Sequence, residues 1–208
     1  MPVRASIDGV SADAWNHNIH YYPMVLRAVP DRAERALDVG CGEGVLAQRL
    51  GTLVSHAVGI DKDEDSVTRA RTQFVGVEYV LGDFMTYPFE QASFDFIASV
   101  ASLHHMDEEA ALRRMRALLR PGGRLFVIGL ARSSRPVDGV VDIAGMVANR
   151  VHKRFKAEVE DCSPKLWPAP HTYRQTRRLA LRTLPGARFR RHLLWRYSLV
   201  WTNPAATS

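Results

Sequence analysis

The sequence predicts an α/β fold: a doubly wound, mostly parallel sheet of seven strands that finishes in an antiparallel C-terminal strand pair. Three observations predict it. Short Val- and Ile-rich runs alternate with longer amphipathic stretches from Ala36 to Leu130, as repeated βα units do. One strand-to-helix turn carries Gly40, Gly42 and Gly44. The tail, residues 187–201, alternates bulky and polar side chains with no room for a crossover helix, so its strands have to pair antiparallel.

The expected strands are ALDVG (36–40), HAVGID (56–61), VEYVLGD (77–83), FDFIASV (94–100) and GRLFVIGL (123–130). VLAQRL (45–50), DEDSVTRARTQF (63–74) and EEAALRRMRALLR (108–120) space their apolar residues at three and four, which suits helices covering a sheet. The last is expected to stop at Pro121-Gly122-Gly123. Residues 131–186 break the rhythm with a weakly amphipathic stretch (Val137 to Lys156), a Pro-rich turn (162–170) and a helix-like run (171–184). The division expected is one domain, 1–208: a helical N-terminal cap (1–35), a core (36–130), an insertion with a helix (131–186) and the strand pair (187–204).

A chain of 208 residues and 23.3 kDa suits one full-sized core. Its 46 % hydrophobic and 24 % charged residues are those of a water-soluble globular protein rather than a fibre or disordered chain. Two cysteines, Cys41 and Cys162, an N-terminus without an apolar core and no run near the ~20 residues of a membrane span point to a cytoplasmic protein without disulfides. The net charge of +6 is unevenly spread. Residues 148–196 hold thirteen Lys or Arg against three acids, a surplus of ten, so the remainder carries −4.

Residues 36–44, ALDVGCGEG, turn a strand into a helix through three glycines, where the backbone can bend sharply and the helix N-terminus offers N–H donors. The spacing is G-x-G-x-G, and Val45 stands where a dinucleotide site has its third glycine. Asp38, two residues before the first glycine, would repel phosphates and attract a cationic group. Asp61, 21 residues after Gly40, lies at the distance expected of an acid that accepts from ribose hydroxyls, and Asp83 can accept from an adenine amino group. Any one of these acids could be a helix cap. Their common register at the ends of successive strands argues for one ligand.

In order, ALDVGCGEG, VGIDKD, LGDFMTYPF, FDFIASVASLHHM and LRPGGRLFVIG resemble the motifs of class I S-adenosylmethionine-dependent methyltransferases, a Rossmann-like superfamily, and in particular its group acting on small molecules. The resemblance covers residues 36–130. It implies S-adenosyl-L-methionine as cofactor, held by Tyr21, Asp38, Gly40, Cys41, Gly42, Asp61, Lys62, Gly82, Asp83, Phe84 and Val100. The segment HNIHYYPMVLRAVP (17–30) resembles the N-terminal helix of such proteins, in which an aromatic, here Tyr21 or Tyr22, closes over the cofactor; ordinary packing of that helix is the alternative.

The reaction implied is transfer of a methyl group to a small-molecule acceptor by in-line displacement, in which the protein aligns the partners and excludes water. An acceptor that must lose a proton would find His104 or His105 directly after the fourth strand. The competing role for these histidines is shaping the pocket. His17, His20, His152 and His171 are weaker candidates. Cys41 reads as a small residue in a tight turn, Trp167 as a ring of the acceptor pocket, and no Cys/His spacing implies a metal. Ser99-Val100-Ala101-Ser102 replaces the N/D-P-P-Y/F signature of enzymes that methylate adenine or glutamine amino groups. The basic segment is expected to solvate the surface or to serve an anionic small acceptor ahead of nucleic acid, because its arginines are scattered over a helix and a strand pair. An RNA methyltransferase, a non-catalytic cofactor-binding or interaction module and, least favoured, an NAD-dependent oxidoreductase are the alternatives. The acceptor atom and the oligomeric state stay open.

Overall fold

The computed structural model describes residues 14–15, 18–132, 157–158, 169–192 and 195–205. Trp167, Cys162, His17, His152 and five of the basic residues, Arg150, Lys153, Arg154, Lys156 and Lys165, lie outside the described residues.

Seven strands form one sheet: β1 (Arg35–Val39), β2 (His56–Asp61), β3 (Glu78–Leu81), β4 (Phe94–Val100), β5 (Leu119–Leu130), β6 (Arg188–Arg191) and β7 (Arg196–Thr202). Their order is β3-β2-β1-β4-β5-β7-β6, with β1 to β5 parallel and β6 and β7 antiparallel to their neighbours. The chain reverses its direction of travel across the sheet between β1 and β4, so the C-terminal ends of both strands border a crevice where such sheets bind ligands. The expected strand pair is present, and β7 enters beside β5 while β6 takes the edge. Side-chain character explains this. Tyr197, Leu199 and Trp201 of β7 are buried, whereas Arg188 and Arg190 of β6 are exposed charges of the kind that protect an edge.

Helices α1 (Tyr22–Leu26), α2 (Val45–Gly51), α3 (Glu64–Gln73), α4 (Glu108–Leu118) and α5 (Tyr173–Thr183) cover the sheet. Strand alternation divides the core. Leu37, Val39, Ile97, Leu125, Val127 and Leu199 pack with α4 and α5. Ala36, Ala57, Phe96, Ala98, Phe126 and Ile128 pack with α1 and α2 on the other face. Cys41, Ala47, Val67, Ala70, Phe74 and Tyr79 form a further cluster between α2 and α3. Each long helix starts on a side-chain cap: Asp63 accepts from the Ser66 amide and Asp107 from the Ala110 amide, both at 2.9 Å, while Thr172 and Gln175 cap α5 reciprocally.

Two expected boundaries are corrected. Pro121-Gly122-Gly123 does not end α4. The helix ends at Leu118 and Leu119 already pairs with Phe94, so the Pro-Gly-Gly turn is a bulge inside β5. Gly122 holds it with a φ of +82°, and Asn203 ties it by donating to the Leu119 carbonyl at 2.9 Å. At the N-terminus, the stretch 17–30 splits into a 3-10 turn (Ile19–Tyr21) and the short α1, whose first turn contains Pro23. Among the described residues, no helix is long and apolar enough to cross a membrane.

Candidate functional site

The glycine turn after β1 is shaped by what presses on it. A Cβ at Gly40, where φ is +72°, would fall 2.4 Å from the Ser102 Cβ, and one at Gly44 (φ +82°) would fall 2.6 Å from the Tyr79 ring. A Cβ at Gly42 meets nothing within 4 Å, so this glycine borders open space. Ser102 donates to the Val39 carbonyl at 2.7 Å and lies 3.1 Å from Ser99 Oγ, which fastens the loop after β4 to the loop after β1. Gly40→Ala should therefore lower the unfolding free energy by about 2–4 kcal/mol, from left-handed backbone strain plus overpacking. Denaturant titration measures this; a loss under about 0.5 kcal/mol would mean that Ser102 yields freely.

The amides of the turn itself, ahead of the helix N-terminus, are engaged within the protein. The Gly40 and Cys41 amides both donate to the Ile60 carbonyl, at 2.9 and 3.1 Å, Gly44 donates to Cys41 at 3.0 Å, and Gly42 donates to Asp61 at 2.8 Å. The reason is that β2 lies against the turn and takes up the amides.

Asp38 is 2 % exposed at the end of β1. Burial, and secondarily the negative charge of Asp61, raises its pKa to about 7, against a lowering by the Ala47 amide at the start of α2. A positive partner would lower it again. Cys41 packs its sulfur against Gly59 and Tyr79, and burial, then Asp38 and Asp61, pushes its thiol far up. It is a filler of the turn and no nucleophile.

Asp61 closes β2 with both oxygens engaged by backbone: Oδ2 accepts from Gly42 and Oδ1 from Asp63 at 3.0 Å. Each oxygen keeps a further lone pair for a ligand. Gly82 joins β3 to this corner by donating to the Asp61 carbonyl at 2.9 Å, with Lys62 next along the chain. Asp83 accepts from the Met85 amide through Oδ1 at 2.8 Å. Phe84 faces the core, 5 % exposed, rather than solvent.

After β4, Val100 is buried and Ala101 adopts a φ of +57°, a left-handed conformation that bends the chain into the 3-10 turn Leu103–His105. The two histidines differ. His104 is 6 % exposed, its Nδ1 has no hydrogen-bond partner among the described residues, and burial, then His105 and Arg196, brings its pKa down to about 4. His105 is half-buried; its pKa is lowered by burial and by Lys62 and raised by Asp61, so it faces the β2 corner. The rings lie 4.1 Å apart.

His104 lies toward the β7 end of the sheet, within reach of the Arg196 charge. Arg196, at the start of β7 beside the end of β5, is buried and donates to Asn18 at 3.0 Å. Tyr21 is buried 5.7 Å from the His192 ring, and burial pushes its hydroxyl up to about 12. Glu108, the first residue of α4, is buried with its Oε2 3.2 Å from His171 Nδ1, and burial raises its pKa. The arginines of the strand pair and of the end of α5 do not all share a face. Arg188 and Arg190 stand opposite Val200 and Ser198, whereas Arg191 stacks over Tyr173 at 4.1 Å on the α5 side and Arg182 pairs with Glu109. Ser102, Tyr79, Glu108 and His171 as a pair, and Arg114 (below) escaped sequence reading. Ser102 alone carried a signal, its place in the stretch after β4.

Residues 37–127 match the family model described as a methyltransferase domain. An uncharacterized methyltransferase of Mycobacterium tuberculosis is 36 % identical over 193 residues, covering 91 % of this chain and 98 % of that protein. The chain belongs to the methyltransferases. An O-methyltransferase of Penicillium expansum is 38 % identical over 113 residues, 50 % of this chain and 41 % of that protein. A SAM-dependent methyltransferase of Aquifex aeolicus has the same fold, with a TM-score of 0.60 at 15 % identity over 88 % of this chain and 89 % of that one. S-adenosylmethionine is the cofactor named for the Aquifex aeolicus enzyme, and the residues present here fit such a group. The buried Asp38 suits a positively charged ligand, and the open side of Gly42 leaves room against the backbone.

Proposed function

We propose that this methyltransferase methylates a small-molecule acceptor, with the cofactor held by the loops after β1, β2 and β3 and the acceptor received between the His104–His105 turn and the start of β7. The observation that carries the reading is the row formed by Asp38, Asp61 and Asp83 at the ends of three adjacent strands, beside a turn with two histidines. In this reading Asp38 attracts the ammonium of the methionine moiety, Asp61 and Lys62 border the ribose, and Asp83 accepts from the adenine amino group beside Gly82 and Phe84. When bound, S-adenosylmethionine supplies a methyl group already activated by a sulfonium leaving group.

The protein's remaining work is positioning, water exclusion and removal of the acceptor's proton. The likeness to an O-methyltransferase favours a hydroxyl acceptor, and neutral His104 or His105 can take its proton. The Arg196 guanidinium gives this half of the crevice a positive potential that suits an acceptor with a negative group. Arg190 and Arg191, neighbours on one strand, point to opposite faces, which disfavours a continuous track for a nucleic-acid backbone.

Calorimetry with S-adenosylhomocysteine and NAD tests the reading. Binding of the first and not the second is expected; preference for NAD would reject it. Asp61→Ala should weaken S-adenosylhomocysteine by about 10- to 100-fold, since it removes hydrogen bonds to a charged acceptor and releases the Gly42 amide. An unchanged dissociation constant in a folded variant would move the ribose elsewhere.

A further inference from the structure

Arg114 stands on α4, two turns beyond the histidine turn, where an arginine of an amphipathic helix is ordinarily solvated. Here it reaches across to the loop after β3. Its Nε donates to the Phe84 carbonyl at 2.6 Å, its Nη2 donates to the Tyr87 carbonyl, and its guanidinium lies 5.4 Å from the centre of the Phe84 ring. Phe84, Met85 and Tyr87 pack on the core, and the loop's own hydrogen bonds are internal: the Thr86 and Tyr87 amides donate to the Asp83 carbonyl at 3.1 and 2.9 Å, and the Met85 amide fixes Asp83 Oδ1. None of these hydrogen bonds reaches another element, whereas those of Arg114 do, gripping the residue after Asp83 and the one that closes the turn.

We propose that Arg114 is a positioning residue for adenine recognition, clamping the Asp83–Tyr87 turn so that the Asp83 carboxylate is held in place for the purine amino group. This rests on the assignment of Asp83 to adenine made above. The planar fork of arginine is what the arrangement requires, because two N–H groups must meet two carbonyls three residues apart while the same plane packs near a ring. The Lys ammonium is a compact point charge without the planar fork or the plane that packs near the ring, so it does not reproduce this paired geometry.

The test compares S-adenosylhomocysteine with its 6-oxo analogue, S-inosylhomocysteine, on the full-length protein. The wild type is expected to prefer the adenine ligand, since the analogue sets a carbonyl oxygen against the Asp83 carboxylate, and Asp83→Asn should erase the preference. Absence of both effects would overturn the Asp83 assignment and the proposal with it. With the assignment upheld, Arg114→Gln and Arg114→Lys should each weaken S-adenosylhomocysteine by about tenfold and leave the inosyl ligand nearly unchanged, because the loss falls on one oriented hydrogen bond. Equal weakening of both ligands would show a general structural role and overturn the proposal. Unchanged affinities would overturn it as well, and so would full preference in Arg114→Lys. Thermal melting of each variant separates a loosened loop from global unfolding.

Discussion

Asp38→Asn is expected to stabilise the ligand-free protein at pH 8 and at the same time to cripple cofactor binding. The side chain is 2 % exposed and its pKa rises from 3.8 to about 7, so the folded state binds the proton more tightly than the unfolded chain. For such an acid the stabilising contribution is complete below the ordinary value of 3.8, is lost as pH climbs from there to about 7, and is flat above. A shift of this size corresponds to about 4 kcal/mol of destabilisation at pH 8, which a neutral amide would relieve. Denaturant titration at pH 5 and pH 8 measures it: the gain from the substitution should be larger at pH 8. The same linkage acts on the cofactor with the opposite preference, because a positively charged ligand favours the ionised carboxylate. Affinity for S-adenosylmethionine should rise with pH up to about 7, where Asp38 ionises. The dependence should approach about tenfold per unit below that point, with proton release on binding. Affinity that is flat from pH 5 to 8, or a variant that binds normally, would show that Asp38 does not meet the cation.

The second large effect is expected at the histidine turn. Removing both rings, His104→Ala with His105→Ala, should lower kcat by about 100- to 10,000-fold if a hydroxyl acceptor has to be deprotonated, the range of general-base catalysis. Cofactor affinity should change far less, since neither ring is assigned to the cofactor. The pH profile separates the two candidates. A base has to be unprotonated, so activity falls as pH drops through its pKa. With His104 in that role the acidic limb lies near pH 4, because burial, then His105 and Arg196, holds its imidazole there. With His105 the limb lies below the ordinary 6.5, and His105→Ala alone would remove it. Full turnover in the double variant would mean that the site works by positioning alone.

The class of fold, the order of its strands along the chain and the register of Asp38, Asp61 and Asp83 at the strand ends were determined by the sequence by itself. Each follows from local rules: apolar periodicity, glycines where a strand turns into a helix, and polar residues that cap the next helix. Tertiary structure decided how those residues act. Whether the amides after Gly40 are free depends on the Ile60 carbonyl and Asp61, more than fifteen residues away and joined only by strand pairing. Pro121-Gly122-Gly123 has the composition of a helix stop, yet pairing of Leu119 with Phe94 and the grip of Asn203 draw it into β5. His104 and His105 are neighbours with one composition and two environments, because one ring is buried toward β7 and the other faces Lys62. Arg114 carries no sequence signal at all. Helix periodicity places it on α4, and only the approach of the loop after β3 gives its guanidinium two carbonyls to hold. Side-chain chemistry is written locally in the chain, but burial, and hence charge state and hydrogen-bond demand, is set by segments that meet only on folding.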